Sequence, residues 1–513
     1  MKKGIYKIVD LSRLTQIILV VVCAVNLFSC KKIIEQAPEN RPYDQVFWQK
    51  EKDAQQALAG DYALLRKALT VNNDFAGLAM SHFAYGDLSA GFFTTFDEYA
   101  YNFLTSGGKG EQIACFIGDY VESLQNWTPH YKTITLANTI LNKVAEMPVS
   151  KFTDEAAKNK ILGEALFLRA FSYFYMVRIW GDVPLLTAYD PQPGGSSNVA
   201  RTDELIVLDT CISDLQKAIT MLDWNTDETS VRAGKGAVHT LLAHVYMWKD
   251  FLTNGADHSN LQKAIDAVNE ITNKGNYGLV IPNYPRLFKG KSEEGIFEIN
   301  MAFEQKEQQV ETGFYYHTLT DPYIKRKTGK YGKFDAAKIN NLFTPDDTRT
   351  DAYFDFSTIS SSDPLLIKYC GANNQNVTYE DVANFSNAAV NSNIIIFRLA
   401  DVMLLRAEAN AKAGNYGAAR VDLDAIREKA GLAASTVLDD ELYTAVIEER
   451  MRELFCEGHT WYDLVRSKLL PEKVDRFSQT RFSQEGWKWP VGRALFLNNN
   501  VLAQTDYWKG KVR

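Results

Sequence analysis

The chain has 513 residues, is 46% hydrophobic and 23% charged, and carries a net charge of −7. These values are typical of a globular protein with enough residues to bury a large core. The acidic balance gives no electrostatic footprint for nucleic acid, so we expect no nucleic-acid partner.

The first residues have the pattern of a secretory signal peptide. An apolar run from Ile17 to Phe28 is too short to cross a bilayer and has the length of a signal-peptide core. The cations that precede it are Lys2, Lys3, Lys7 and Arg13. We therefore predict a signal peptide over residues 1–29.

The apolar run ends in Leu27-Phe28-Ser29-Cys30, which looks like a bacterial lipobox. In such a motif the cysteine becomes the first mature residue and carries acyl chains such as palmitate. Each buried CH₂ of those chains contributes about 0.8 kcal/mol, which would hold the protein on a membrane. We predict lipidation at Cys30 and a polar tether over residues 30–43. An ordinary signal peptide with an incidental Cys30 is the alternative.

Apolar residues then recur at three- and four-residue steps, the period of amphipathic helices. The predicted helices are 47–69, 129–147, 155–179, 203–222, 236–251, 261–274, 399–413, 416–430, 440–457 and 460–467. Thr202 and Ser259 have the position and side chains of N-caps.

Residues 275–395 lack this period and are rich in Gly, Pro, Asn and aromatic residues. Short extended pieces such as residues 295–300 replace the helices. A long irregular stretch in a compact protein is usually functional, because a rigid scaffold can hold variable loops. We predict an N-terminal helical region over 44–274 and a C-terminal region over 275–513, which together form one compact unit.

The helices 399–413 and 416–430 are separated only by Gly414-Asn415, and small residues on both would let them approach closely. This is the helix–turn–helix organisation of tetratricopeptide repeats. The predicted fold is therefore mostly α, a tetratricopeptide-like scaffold of about four helix pairs with large irregular loop insertions and a few short strands.

Three stretches resemble the SusD/RagB family of outer-membrane nutrient-binding lipoproteins. Residues 164–186 read EALFLRAFSYFYMVRIWGDVPLL, residues 396–409 read IFRLADVMLLRAEA, and residues 448–466 read EERMRELFCEGHTWYDLVR. The order and spacing of these stretches also fit, as do Trp489-Pro490 and the later run 497–500. Together with the lipobox, the resemblance spans nearly all of the mature chain.

The resemblance implies a helical fold with four tetratricopeptide-like units. It also implies a lipid-anchored protein of the outer membrane that faces the cell surface and captures glycans, or in some members peptides. The implied partner is a SusC-like TonB-dependent transporter barrel, over which the lipoprotein sits as a lid. No catalytic residue and no cofactor are implied.

The motif residues themselves are expected to be scaffold. We predict that Arg169 and Arg178 bond carbonyls or carboxylates of neighbouring helices. The charges between Glu448 and Glu457 alternate in sign at three- and four-residue steps, which predicts a partly buried ion-pair network beside His459 and Trp461. A metal or general-base role for this cluster is the alternative, without a defined acidic partner at catalytic spacing.

Other patterns are weaker. Asp346, Asp347 and Asp351 leave a calcium site open, but they lack the glycine and the terminal glutamate of an EF-hand, and a solvated turn is the preferred interpretation. The cysteines beyond the lipid site have no CxxC spacing, and we expect buried free thiols. They are Cys115, Cys211, Cys370 and Cys456.

A glycan offers apolar C–H faces and hydroxyl groups, which suit aromatic rings with nearby polar side chains. Two loop regions have that mixture, residues 92–102 and residues 314–323. The predicted ligand-binding residues are Tyr99, Tyr101, Asn102, Tyr316 and Tyr323. The alternative is that these rings pack the loops onto the scaffold.

The leading hypothesis is non-catalytic glycan binding in the service of a transporter. A lipidated scaffold that binds only proteins, or a peptide-capturing protein, is the second class. A lipid-anchored glycoside hydrolase is the third, because two suitably separated carboxylates could also lie on a helical fold.

Overall fold

The structure, a computed structural model, describes residues 47–71, 80–96, 122–190, 198–224, 230–257, 259–281, 283–308, 310–358, 362–475, 477–497 and 499–511. The fold is mostly helical, as predicted, with short two-stranded sheets. Among the described residues up to 289, the α-helices are α1 Glu51–Leu69, α2 Ser81–Gly86, α3 Thr128–Glu146, α4 Glu155–Trp180, α5 Glu204–Met221, α6 Lys235–Leu252, α7 Ser259–Lys274 and α8 Tyr284–Lys289. Those that follow are α9 Phe314–His317, α10 Ala336–Leu342, α11 Arg349–Tyr353, α12 Leu399–Lys412, α13 Tyr416–Lys429, α14 Leu442–Glu453, α15 Thr460–Arg466, α16 Leu470–Lys473, α17 Gln479–Ser483 and α18 Arg493–Phe496.

The strands pair as four antiparallel two-stranded sheets within the described residues. The strands are β1 Phe93–Phe96, β2 Gly295–Ile299, β3 Gly332–Phe334, β4 Phe354–Asp355, β5 Leu365–Leu366, β6 Val377–Asp381, β7 Ser386–Val390 and β8 Ile394–Arg398. The pairs are β1 with β3, β2 with β8, β4 with β5, and β6 with β7. Single turns of 3-10 helix lie at Leu88–Ala90, Glu122–Gln125, Val149–Lys151, Phe303–Gln305, Ala372–Asn374 and Asp506–Trp508.

The long helices form a continuous array in which each packs against its neighbours in sequence. Helix α1 packs on α3, α3 on α4, α4 on α5, α5 on α6, and α6 on α7. Helix α7 then packs directly on α12, which pairs with α13 and α14. The insertion between α7 and α12 therefore leaves the repeat-like stacking intact, as a tetratricopeptide-like scaffold requires.

Helix α4 lies at the centre of this array and is buried on all sides from Gly163 to Trp180. The helix is enclosed because α1, α3 and α5 surround it and the β2–β8 sheet covers it. Ring contacts join Phe167 to Phe297 at 4.8 Å and Phe171 to Phe397 at 6.1 Å between centroids. Helices that are apolar all round are buried in this way in large proteins.

The ends of the helices follow local chemistry. The Asp154 carboxylate accepts a hydrogen bond from Ala157 N at 2.7 Å and starts α4, and Gly181 ends that helix with a φ of +73°. The predicted N-cap at Thr202 is wrong, since Asp203 caps α5 by accepting from Leu205 N at 2.8 Å. Ser259 is likewise the first helical residue of α7, and its hydroxyl donates to Asp257 at 2.5 Å.

Within the part of the chain that the structure describes, no helix is long and apolar enough to cross a membrane. Cys211, Cys370 and Cys456 are buried free thiols, as predicted, whereas Cys115 lies outside the described residues.

Candidate ligand-binding site

Only some of the predicted site residues lie within the part of the chain that the structure describes. Cys30, Tyr99, Tyr101 and Asn102 lie outside the described residues. Tyr316 and Tyr323 are described, and both are half-buried on the loop-rich insertion. The geometry of the candidate site is therefore built from the insertion.

Phe92 and Phe93 begin the first loop region, whose composition suited a ligand. Both rings are buried, with Phe92 5.1 Å from Phe455 and Phe93 4.4 Å from Phe334 between centroids, so these two rings pack the loop onto the scaffold. Strand β1 instead runs along β3, with Phe93 opposite Phe334 and Phe96 opposite Gly332. The β1–β3 pairing therefore places the end of β1, which belongs to the first loop region, beside Tyr331. Tyr331 in turn lies close to the second loop region.

The aromatic residues of helix α9 lie partly in the core and partly at the surface. Phe314 stacks on Phe83 at 4.2 Å and Tyr315 stacks on Tyr369 at 3.9 Å, so both rings are buried. Tyr316 remains half-buried, and burial raises its pKa to about 12. Of these three rings, Tyr316 is the one that a ligand can reach.

Tyr316 has a cation beside it. The Lys327 ammonium lies 4.7 Å from the centroid of the Tyr316 ring, within the range of a cation–π contact. Lys327 also donates to the carbonyl oxygens of Leu319 at 2.5 Å and Gly329 at 2.6 Å. Burial, followed by repulsion from Lys330, lowers the pKa of Lys327 to about 8.

Tyr323 has a more structural position than Tyr316. Its hydroxyl donates to Asp355 at 2.9 Å, and burial raises its pKa. The Asp355 carboxylate also accepts from Ser357 N and Ser357 Oγ, both at 2.7 Å. Burial opposes ionisation of Asp355, but hydrogen bonds from Thr358, Ser357 and Tyr323 lower its pKa to about 2. The Tyr323 hydroxyl is therefore engaged, which leaves its ring as the part available to a ligand.

Two further aromatic residues of this surface were not predicted. Tyr331 is 46% exposed, and its ring lies 4.9 Å from that of His317. The Tyr379 hydroxyl on β6 accepts from Lys325 N at 2.9 Å, which fixes the loop against the β6–β7 hairpin. The sequence feature that could have indicated an exposed Tyr331 is its position among glycines and lysines just before β3. Tyr379 reaches this surface through the pairing of β6 with β7, which no local sequence pattern indicates.

A small open concavity of about 30 Å³ lies next to Tyr316. Its walls are mostly apolar, with Gln308 and Ser392 as polar members. It is lined by Leu69, Thr70, Met80, Phe83, Met301, Gln308, Gly313, Phe314, Tyr315, Tyr316, Val390, Ser392 and Ile394. Apolar walls with a few polar groups and aromatic rings are the usual lining of a small-ligand site, and this concavity has room for one small group of a ligand that lies on the surface.

Most charged residues of the three motifs are buried in the core. Arg398 bonds Glu294 at 2.6 Å, Glu453 at 2.7 Å and Glu457 at 2.7 Å, and all four side chains are buried. Lys429 bonds Glu294 and Glu453, while Lys368 bonds Glu457 at 2.6 Å. We call this set, with Arg349, the Arg398 network. The prediction of a buried ion-pair network is confirmed. Most of its pairs join different elements, whereas the prediction rested on pairs within one helix. Within α14, the pair Arg452–Glu449 at 3.1 Å has the expected three-residue spacing.

These charges stabilise each other. Burial alone would raise the pKa of Glu453, yet Lys429, Arg398 and Arg349 bring it well below its ordinary value. Asp347, one of the calcium candidates, is buried and bonds Arg349 at 2.7 Å. No group of three or more His, Cys, Asp or Glu side chains in the described residues is arranged to hold a metal ion.

The two arginines of the first motif behave differently. Arg169 bonds Asp214 on α5 at 2.7 Å and Asn138 on α3 at 2.7 Å, as predicted. The prediction for Arg178 is wrong, because its guanidinium packs on rings, 4.1 Å from the centroid of Tyr462 and 4.6 Å from that of Phe174. Both arginines are structural.

Comparison with known proteins agrees with this architecture. The family model described as "SusD family" matches residues 367–500, and the one described as "Starch-binding associating with outer membrane" matches residues 92–247. A SusD-like protein of Formosa agariphila is 25% identical over 517 residues, which cover 93% of this chain and 95% of that protein. One from Bacteroides ovatus is 30% identical over 385 residues, 68% of this chain and 66% of its own. The crystal structure of a SusD homologue from Bacteroides thetaiotaomicron has a TM-score of 0.79 and 27% identity, over 90% of this chain and 99% of that one.

Proposed function

The chain belongs to the SusD/RagB family, and on that premise we propose that it binds glycans at the outer membrane and passes them to a SusC-like TonB-dependent transporter without catalysing a reaction. One of its family models is described as starch-binding and associating with the outer membrane. The observation that carries the proposal is the half-exposed Tyr316 ring beside a small open concavity, with the exposed Tyr331 on the same loop.

The insertion supports glycan rather than protein as the ligand. A scaffold that bound only proteins would present the groove of its helices. Here the partly exposed rings lie on loops outside the helical array, where sugar C–H faces can stack on them. We include Tyr99, Tyr101, Asn102 and Tyr323 in the proposed site, with Tyr316 as its centre.

Retardation on polysaccharide gels tests this proposal and separates it from hydrolysis. Retardation without released sugar is the expected result, whereas product release would indicate a hydrolase. Tyr316→Ala should weaken oligosaccharide binding about threefold to tenfold, because a stacked ring contributes about 0.5–1.5 kcal/mol. Tyr101→Ala should behave similarly. Tyr416→Ala on α13 is a control that removes a half-buried ring elsewhere. Unchanged affinity in both site variants would contradict the assignment.

We also propose that Cys30 carries the lipid anchor, with residues 1–29 removed as a signal peptide and residues 30–43 as a tether. The extended tether would reach on the order of 40 Å from the membrane. Cys30→Ser should release the protein into the soluble fraction of fractionated cells. Cys23→Ser is the matched control, because that cysteine lies in the apolar run and would be lost with the signal peptide. A Cys30→Ser variant that stayed in the membrane fraction would contradict lipid anchoring.

A further inference from the structure

The loop that carries Tyr323 and Tyr331 has a charge opposite to that of the whole protein. Residues 323–333 contain no Asp or Glu, although the chain has a net charge of −7. We call these residues the basic segment. Its five cations are Lys325, Arg326, Lys327, Lys330 and Lys333. The side chains of Lys325, Arg326 and Lys333 are exposed.

The basic segment is held in place by the β6–β7 hairpin. Arg326 donates to the Asn384 carbonyl oxygen at 3.1 Å, and its guanidinium lies 5.2 Å from the centroid of the Phe385 ring. Lys325 N donates to the Tyr379 hydroxyl at 2.9 Å. Lys325 and Arg326 are therefore fixed against a hairpin that carries two aromatic rings, Tyr379 and Phe385, which distinguishes them from freely solvated charges.

The two inward-facing lysines of the segment have different partners. Lys330 pairs with Asp363 at 2.7 Å. The Lys327 ammonium donates to two carbonyl oxygens and faces the Tyr316 ring, and among the described residues it forms no ion pair. An ammonium group has three donors, so one remains available. The charge of Glu311 acts on Lys327 without forming an ion pair with it, so an anionic group in direct contact would offset the cost of its partial burial.

His317 adds a second unsatisfied group at the same place. Its side chain is buried, and neither ring nitrogen has a hydrogen-bond partner within the described residues. The ring lies between Tyr316, at 5.1 Å, and Tyr331, at 4.9 Å, and the charge of Lys327 acts on it. Buried polar atoms without partners are uncommon in native proteins, and a water molecule or a ligand group that reached this ring would supply the missing partner.

Building on the glycan-binding function proposed above, we infer that the surface formed by Tyr316, Tyr331 and the basic segment binds an acidic glycan, one that carries carboxylate or sulfate groups. The rings contact the sugar faces, and the acidic group lies against Lys327 and the exposed cations. Charge-assisted hydrogen bonds to such groups are about twice as strong as neutral ones. An anionic membrane would meet the same charges, but it would not need sugar-sized aromatic faces beside them.

Titration calorimetry of the full mature chain tests this inference. The acidic probes are polygalacturonate, for carboxylates, and dextran sulfate, for sulfate esters; the neutral probes are amylose and pullulan. Tighter binding of one acidic probe, weakened between about 50 and 500 mM NaCl, is expected because salt screens exposed charges. Which acidic probe binds identifies the acidic group. The double variant Lys325→Gln/Lys333→Gln should bind that probe about tenfold more weakly, the effect of losing two exposed ion pairs.

The matched control is Lys132→Gln/Lys217→Gln, which removes two exposed cations from α3 and α5 and should keep the affinity. Both lysines of the test variant are exposed, so folding should be retained, and circular dichroism checks it. Neutral glycans that bind as tightly as acidic ones, or equal losses in both variants, would overturn the inference while leaving the proposed function intact. Failure of every polysaccharide would overturn both. Binding to phosphatidylglycerol vesicles without binding to acidic glycan would also overturn the inference.

Discussion

Removal of Arg398 should destabilise the protein more than removal of any exposed charge. Its guanidinium is 1% exposed and lies between Glu294, Glu453 and Glu457. Arg398→Met would keep much of the volume but leave these buried carboxylates with fewer cations. Deleting one partner of a buried ion pair typically costs about 3–5 kcal/mol, because the other charge stays buried. We expect a loss of that size in the free energy of unfolding.

Urea denaturation followed by circular dichroism and by tryptophan fluorescence measures this loss. Lys274→Met is the control, since it breaks the exposed pair with Glu270, whose side chains are 57% and 41% exposed. That pair should contribute about 0.5 kcal/mol or less. A loss below about 1 kcal/mol in Arg398→Met would refute the reasoning, since it would mean that solvent or neighbours compensate the carboxylates.

Two further predictions concern stability. Gly86→Ala should lower the free energy of unfolding by about 1–3 kcal/mol, because a Cβ there would lie 2.3 Å from the Gly458 carbonyl oxygen. The control is Gly417→Ala, which should be neutral or stabilising because this helical position has no atom within 4 Å of the added Cβ. Equal effects of the two variants in a thermal melt would contradict this prediction. Stability should also fall as the pH drops from 6.5 to 5, because burial lowers the pKa of several histidines and the unfolded chain then binds protons that the folded chain does not. Each fully buried histidine contributes about 2 kcal/mol to this loss of stability. The urea midpoint at the two pH values measures the loss. A midpoint that rose at pH 5 would contradict the prediction. The buried carboxyls whose pKa values burial raises act in the opposite direction but are fewer than the histidines; they are Asp61, Asp87, Glu204 and Glu298. The histidines with a pKa lowered to about 3 or 4 are His82, His130, His239, His317 and His459.

The helical frame could be predicted because apolar periodicity is a local property. The prediction of a helix over 416–430, for example, differs from α13 by one residue. The short link at Gly414 likewise indicated the close pairing of α12 and α13, which the structure confirms. The first residue of a helix was harder to predict than its extent. Thr202 and Asp203 both have side chains that suit an N-cap, and only the chain geometry selects Asp203.

The candidate site could be predicted only in part. The composition of residues 314–323 indicated aromatic side chains on a loop, but it could not distinguish Tyr316 from its buried neighbours Phe314 and Tyr315. That distinction depends on Phe83 and Tyr369, which are distant in sequence. The pairing of β1 with β3 has the same non-local origin, so no periodicity or motif reveals it.

The end of α4 has a consequence for biosynthesis. Trp489 N donates to the Ile179 carbonyl oxygen at 2.7 Å, and the Trp180 indole donates to Pro490 at 3.2 Å. The most deeply enclosed helix thus gains its last partners from residues made some three hundred positions later. Contacts this distant in sequence slow folding, since a long loop must close before they form. A ribosome that stopped before Trp489 would release a chain with an open centre, which proteases could recognise and remove.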